Sequence, residues 1–249
     1  MQISGIIPAR YASTRFPGKP LVDIGGKSMI RRVYEQAAKA GRLSNIIVAT
    51  DDQRIFDHVT SFGGKVRMTS AEHQSGTDRC AEVASSYPES DVFINIQGDE
   101  PFIDPRQIDL LCECFSDSQV NLATLVKKID SEAELMSPNT PKVVFDNNNQ
   151  AIYFSRTPIP FVRDQAPQYW LDHQLYYKHI GIYGYRRQAL DLITKLRVSP
   201  LERAEALEQL RWIENGFRIK VAVTKIESIS IDTPSDLANA LSQVDLSSL

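Results

Sequence analysis

The sequence predicts an α/β fold, a mostly parallel twisted sheet flanked by helices with an antiparallel lobe inserted. Short apolar, β-branched runs alternate with helical periodicity through the first half of the chain. Those runs are apolar on consecutive residues, as strands covered on both faces are. After residue 120 the alternation gives way to paired short strands around polar turns. The 249 residues, 42% of them hydrophobic, suffice for a sizeable core. They read as a single domain over 1–249, with about 120–185 as the antiparallel sub-lobe.

The opening unit is strand, loop, helix. "ISGII" is followed by a Pro- and Gly-punctuated basic loop, "PARYASTRFPGKPL". In "SMIRRVYEQAAKAG" the residues Met29, Ile30, Val33, Ala37 and Ala40 recur at helical spacing, and Gly41 is expected to close the helix. "NIIVATDD" reads as a strand ending in acids, "QRIFDHVTSFGG" as a helix, "KVRMTS" as a strand and "TDRCAEVASSY" as a helix. "DVFINIQGDEP" is a buried strand that stops at Gly98. Beyond the switch, "KVVFDNNNQAIYFS" gives two strands around an Asn-rich turn. "KHIGIYGY" and "RIKVAVTKI" add strands, and "TPSDLANALSQ" a helix. "SPLERAEALEQLRWIENG" reads as one helix, with Ser199 as N-cap, Pro200 at the first position, Glu202 completing a capping box and Gly216 ending it.

Composition excludes several classes. A net charge of −3 supplies no basic field for a nucleic-acid backbone. No apolar run approaches the roughly 18 residues that span a bilayer, and "MQISGIIPAR" lacks the n- and h-regions of a leader, so a cytoplasmic protein is expected. Of the three cysteines, Cys112 and Cys114 stand two apart on a helix and point in different directions, and the four histidines offer no matching spacing. A zinc site is therefore not expected. "GGKS" at 25–28 ends like a Walker A loop, but Leu21 holds the place of its first glycine, and no G-x-G-x-x-G follows the first strand.

Ligands of open parallel sheets bind beyond the C-terminal strand ends. Three polar clusters should meet there: the basic loop with Arg10, Arg15 and Lys19, then "TDD", then "QGDEP" with Asp99. Each cation alone reads as a solvated surface charge. Three on one strand-end loop, opposite an Asp, point to a polyphosphate with a divalent metal. Asp232, ahead of "TPSDL", reads on its own as a helix N-cap, and Thr233 could cap in its stead. Glu208 falls seven residues from Leu201 on a stripe with Ala204 and Leu207, where a carboxylate needs a partner or a ligand. His179 reads equally as an ordinary strand histidine.

"IPARYASTRFPGKPL", "HQSGTDR", "NIQGDEP", "YFSR", "KHIGIYGY", "LEQLR" and "IDTPSDL" resemble, in order and over about residues 3–240, the 3-deoxy-manno-octulosonate cytidylyltransferases. The resemblance implies a nucleotide-diphospho-sugar transferase-like fold whose antiparallel lobe serves dimerisation. It also implies Mg²⁺-dependent transfer of CMP from CTP to an acidic eight-carbon sugar, 3-deoxy-manno-octulosonate, with release of pyrophosphate, for lipopolysaccharide synthesis. Arg10, Lys19, Asp99 and Asp232 are then catalytic, and Asp99 and Asp232 hold the metal. Pro8, Ala9, Arg10, Arg15, Lys19, Ser75, Gly76 and Gln97 take the nucleotide. Gln97, Arg156, His179, Tyr183, Glu208 and Gln209 take the sugar acid. The looser stretch about 161–177 is expected to be a lid or part of a homodimer contact. A cytidylyltransferase for an 8-amino analogue or a sialic acid is the alternative within this chemistry. A nucleotide-sensing module is the alternative outside it, and joint retention of Lys19, Asp99 and Asp232 argues against that.

Overall fold

The computed structural model describes residues 1–12 and 16–243. They fall into two compact units, residues 1–112 with the segment from Ser228 on, and residues 113–227. No helix among the described residues is long and apolar enough to cross a membrane.

In the first unit β1 (Ile3–Ala9), β2 (Asn45–Thr50), β3 (Val66–Met68) and β4 (Val92–Asn95) form a parallel sheet in the order β3-β2-β1-β4. Helices α1 (Met29–Ala37), α2 (Gln53–Ser61), α3 (Gly76–Ser85) and α4 (Pro105–Glu113) alternate with the strands. Ile6, Ile7, Ile47, Val48, Phe93 and Ile94 are all buried, each contributing about 1.5–3 kcal/mol of transfer free energy. Pro8, which has no N–H for a ladder, is tolerated inside the sheet because pairing with β4 already ends at Ile6 opposite Asn95. Helix α1 stops at Ala37, short of Gly41. The residues after it turn, with Ala40 N–H donating to Ala37 O at 3.1 Å.

In the second unit β5 (Leu122–Lys128), β6 (Lys142–Phe145), β7 (Ala151–Ser155), β8 (Tyr177–Arg186) and β9 (Ile219–Thr224) mix directions. Strand β5 pairs antiparallel with β8 and parallel with β9, and β6 and β7 form the expected hairpin. The Asn-rich turn closes on the Asp146 carboxylate, which accepts from Asn148 N–H and Gln150 N–H at 2.8 Å each. Helix α5 (Glu132–Met136) and α6 (Trp170–His173) bring Leu135 and Trp170 into one cluster with Ile129 and Tyr176. Then follow α7 (Arg187–Ile193), α8 (Pro200–Glu205) and α9 (Gln209–Glu214).

The single helix expected over 199–216 is two helices. Its first turn is as read, with the Ser199–Glu202 capping box in place. The chain then breaks at Ala206, left-handed with φ 50°. The cause is Arg156: its Nε donates to Glu205 O at 2.6 Å and its Nη2 to Ala206 O at 3.1 Å, so a side chain takes the carbonyls that a continuing helix would have bonded. Glu208 consequently does not share one stripe with Leu201 and Ala204. It precedes α9 and pairs with Arg211 at 3.1 Å.

From Ser228 the chain belongs to the first unit again and ends its described part in α10 (Pro234–Gln243). Ile231 is fully buried with Ile24, Met29 and Ala240, and Phe16, Phe102, Ile229 and Leu237 pack on this cluster.

Candidate active site

Because β1, β2 and β4 are parallel, the loops after them leave one edge of the first unit's sheet. Pro8 and Ala9 are the last residues of β1, and Arg10 opens the basic loop. That loop is anchored at both ends. Gly18 N–H donates to Tyr11 O at 3.0 Å, and the Arg54 guanidinium lies 3.3 Å over the Tyr11 ring while Asp52 grips it through two bonds of 2.9 and 2.6 Å. Gly18 is left-handed (φ 71°), which a glycine adopts without strain, and starts the 3-10 turn that carries Lys19. The Arg10 Nη2 donates to His73 O. Arg15 lies outside the described residues.

Lys19 is the centre of the constellation. Its Nζ donates to Asp99 Oδ2 at 2.8 Å and to Asp232 Oδ1 at 3.1 Å. Asp99 stands on the loop after β4, beyond Ile96, Gln97 and Gly98, and Gly98 lets that loop pass close to β1: a Cβ there would lie 2.6 Å from Pro8 O. Asp232 is brought alongside by Ile231, whose N–H donates to Asp99 O at 2.9 Å and whose side chain is buried beneath. Of the two readings of Asp232, the capping role belongs to Thr233, whose Oγ1 accepts from Asp236 N–H at 3.2 Å while Asp236 accepts from Thr233 N–H at 2.8 Å. Next to Asp99, the buried Glu100 carboxyl is pushed up to about 7 by burial and by the Asp99 charge. The sequence reading passed over Glu100, although its place within "QGDEP" after a buried strand is the signal that could have found it.

Among the described residues no three His, Cys, Asp or Glu side chains gather as a metal cage. Two carboxylates are nonetheless a donor set suited to Mg²⁺, which is commonly held by one or two carboxylates while substrate phosphates and waters complete its shell. Ser75 caps α3 in a full capping box with Asp78, and Gly76 starts the helix where an added Cβ would lie 3.4 Å from Pro8 Cγ. Gln97 lies between β4 and Asp99, half-buried, its carbonyl accepting from Glu100 N–H at 3.4 Å. A second pair unforeseen in the sequence supports this edge: the fully buried Arg79 of α3 donates to Asp51 at 2.8 Å and to Thr69.

Of the residues expected to take the sugar acid, Gln97 lies in the first unit and Arg156, His179, Tyr183, Glu208 and Gln209 lie in the second. The guanidinium of Arg156 is committed to Glu205 O, Ala206 O and Pro138 O, and two of its five N–H groups remain. His179 and Tyr183 flank a bulge in β8, where the register jumps between Thr124 opposite Tyr183 and Leu125 opposite Ile180. The Thr124 hydroxyl fills it, 2.7 Å from Ile182 O and 2.9 Å from His179 Nε2. As the hydroxyl proton goes to a carbonyl, His179 donates through Nε2, and burial lowers its pKa to about 3, so the ring is neutral. The ring thus stands neutral and bonded to Thr124 inside the second unit. Tyr183 Oη and Gln209 Nε2 are different: both are buried without a hydrogen-bond partner. Burial holds the Tyr183 hydroxyl well above the usual range, so it stays protonated. Groups of this kind call for water or for a polar ligand.

Known proteins share this architecture. A family model described as Cytidylyltransferase matches residues 4–226. The chain is 55% identical to a 3-deoxy-manno-octulosonate cytidylyltransferase of Parabacteroides distasonis over 97% of both chains. It is 54% identical to one of Bacteroides thetaiotaomicron over 96% of this chain and 97% of that one. A solved CMP:2-keto-3-deoxy-manno-octonic acid synthetase, complexed with CTP, superposes with a TM-score of 0.91 at 42% identity over 98% of each chain. With its strand-end loops, its motifs and its whole length in agreement with these relatives, the chain belongs to the 3-deoxy-manno-octulosonate cytidylyltransferase family.

Proposed function

We propose that the chain transfers CMP from CTP to 3-deoxy-manno-octulosonate. In this reaction the anomeric hydroxyl oxygen of the sugar acid bonds to the α-phosphorus, the bond from that phosphorus to the bridging oxygen breaks, and pyrophosphate leaves. The observation that carries the reading is the meeting of Lys19, Asp99 and Asp232 at the C-terminal edge of a parallel sheet, from positions 80 and 213 residues apart. The relatives supply the substrates.

Phosphoryl transfer needs positioning and charge neutralisation more than covalent chemistry. In this reading Arg10, Arg15 and Lys19 neutralise the triphosphate, with Arg10 steadied through His73 O and Lys19 through the 3-10 turn. Pro8, Ala9, Ser75, Gly76 and Gln97 seat the nucleotide. Asp99 and Asp232 hold Mg²⁺, which when bound polarises phosphate oxygens and favours the ionised sugar hydroxyl. Arg156 offers its two remaining N–H groups to the sugar carboxylate, and Tyr183 and Gln209 offer unpaired polar atoms to its hydroxyls. Glu208 adds an acceptor, whereas His179 supports the wall through Thr124. A cytoplasmic homodimer completes the reading; it is supported by the 72% exposure of Phe161 in the stretch set aside for a dimer contact.

Pyrophosphate release tests it, with Mg²⁺ and CTP, against 3-deoxy-manno-octulosonate, its 8-amino analogue and N-acetylneuraminate in parallel. Release with the first alone is the expected result. Release only with one of the others reassigns the sugar, and silence with all three refutes the transfer.

A further inference from the structure

We infer that Lys19 is the built-in counter-ion of Asp99 and Asp232, and that it yields those carboxylates to the divalent metal as it moves onto the incoming triphosphate. The inference rests on the cytidylyl-transfer reading for the metal and the nucleotide.

The geometry leads there in three steps. First, the two carboxylates point at one place, and the ammonium stands in it at 2.8 and 3.1 Å. The Lys19 side chain is only 14% exposed, with the carboxylates at 28% and 35%, so water screens the group incompletely. Second, a hard divalent cation takes carboxylate oxygens in direct contact. The oxygens it needs are the ones now accepting from Nζ, and two cations on one pair of oxygens repel. Third, Lys19 has somewhere to go. A lysine head is a compact charge on a flexible four-carbon stem, able to turn while the backbone stays fixed in the 3-10 turn after Gly18. Phosphate oxygens arriving with the nucleotide are acceptors of the same kind as the ones it leaves. Metal alone must displace the lysine without offering it a new partner, whereas metal with nucleotide does both.

Binding of Mn²⁺ in the absence of nucleotide, followed by the electron paramagnetic resonance signal of the free ion, tests this. Lys19→Met keeps the apolar stem and removes the charge, and it is expected to bind Mn²⁺ about tenfold more tightly than the unmodified chain. Lys19→Gln is expected to do the same. Metal-free Lys19→Met is also expected to melt at a lower temperature than the unmodified chain and to recover on Mn²⁺ addition, which separates this effect from general misfolding. Unchanged or weaker Mn²⁺ binding by both lysine variants, while Asp99→Asn abolishes binding to the unmodified chain's site, overturns the counter-ion role and leaves the metal assignment standing. Absence of any Asp99-dependent Mn²⁺ binding, with and without CTP, overturns the metal assignment and the counter-ion role with it.

Discussion

The cluster around Lys19 in the first unit and the wall around the β8 bulge in the second present opposite electrostatic styles. In the first, Lys19, Asp99 and Asp232 are charged, and each answers another across a few ångströms. In the second, the wall around the β8 bulge is neutral: His179 is uncharged, Tyr183 stays protonated, and Tyr183 Oη and Gln209 Nε2 have no partner. A site for phosphate and metal has to compensate its own charges before the ligand comes. A site for a polyhydroxylated ligand has instead to keep hydrogen-bonding capacity in reserve, which costs free energy until the ligand supplies it.

The contrast can be broken most sharply at Asp99. Asp99→Asn keeps size and shape but removes one carboxylate charge, and should lower kcat by a hundredfold or more, about 3 kcal/mol or above, with the circular dichroism spectrum unchanged. Near-normal kcat would show that the charged cluster is scaffold. Arg79→Leu should cost about 3 kcal/mol in urea denaturation, because it leaves Asp51 without its partner at the same sheet edge.

His179 offers a pH test. Its pKa is about 3 in the folded protein and near the ordinary 6.5 when unfolded, so the unfolded chain takes up a proton first. Its stabilising contribution is therefore complete above about pH 6.5 and is lost as pH falls toward 3. His179→Gln should retain about 1–2 kcal/mol more of its neutral-pH stability at pH 5 than the unmodified chain does, while kcat stays within about twofold. A large fall in kcat would return His179 to the site. The smallest effect is expected from Tyr183→Phe, which removes a buried hydroxyl that has no partner: thermal stability should hold or rise slightly, and KM for the sugar acid should rise about fivefold, near 1 kcal/mol. A loss of stability without a change in KM would make the hydroxyl structural.

Much of the first unit was legible because local and global signals agree there. Consecutive apolar residues mark its strands, and parallel strands force their following loops to one edge, so Arg10, Lys19 and Asp99 could be grouped before any coordinates. The cap at Ser199 was equally readable, since a capping box depends on four neighbouring residues. What escaped was nonlocal. The helix break at Ala206 has neither Gly nor Pro to announce it and is imposed by Arg156, some 50 residues away. The hydrogen bond that holds the His179 ring runs to Thr124, 55 residues upstream, and the partnership of Arg79 with Asp51 spans 28 residues. Family resemblance reached Arg156 and Tyr183, but not how little of the one, and how much of the other, is left for a ligand.

The hydrogen bond from Ile231 N–H to Asp99 O has a kinetic side. It is the stitch that sets Asp232 beside Lys19 across 213 residues of sequence. Contacts of such separation close a long loop, whose entropy opposes them, and segments held by few buried contacts open locally more easily than a packed sheet. Local opening of the segment from Ser228 would erase the cluster while β1, β2 and β4 stayed paired, so the fraction of molecules able to react at any instant depends on how tightly Ile229, Ile231, Leu237 and Ala240 are docked. The exchange rate of a single amide proton, that of Ile231, is then a direct gauge of how much of the protein is competent.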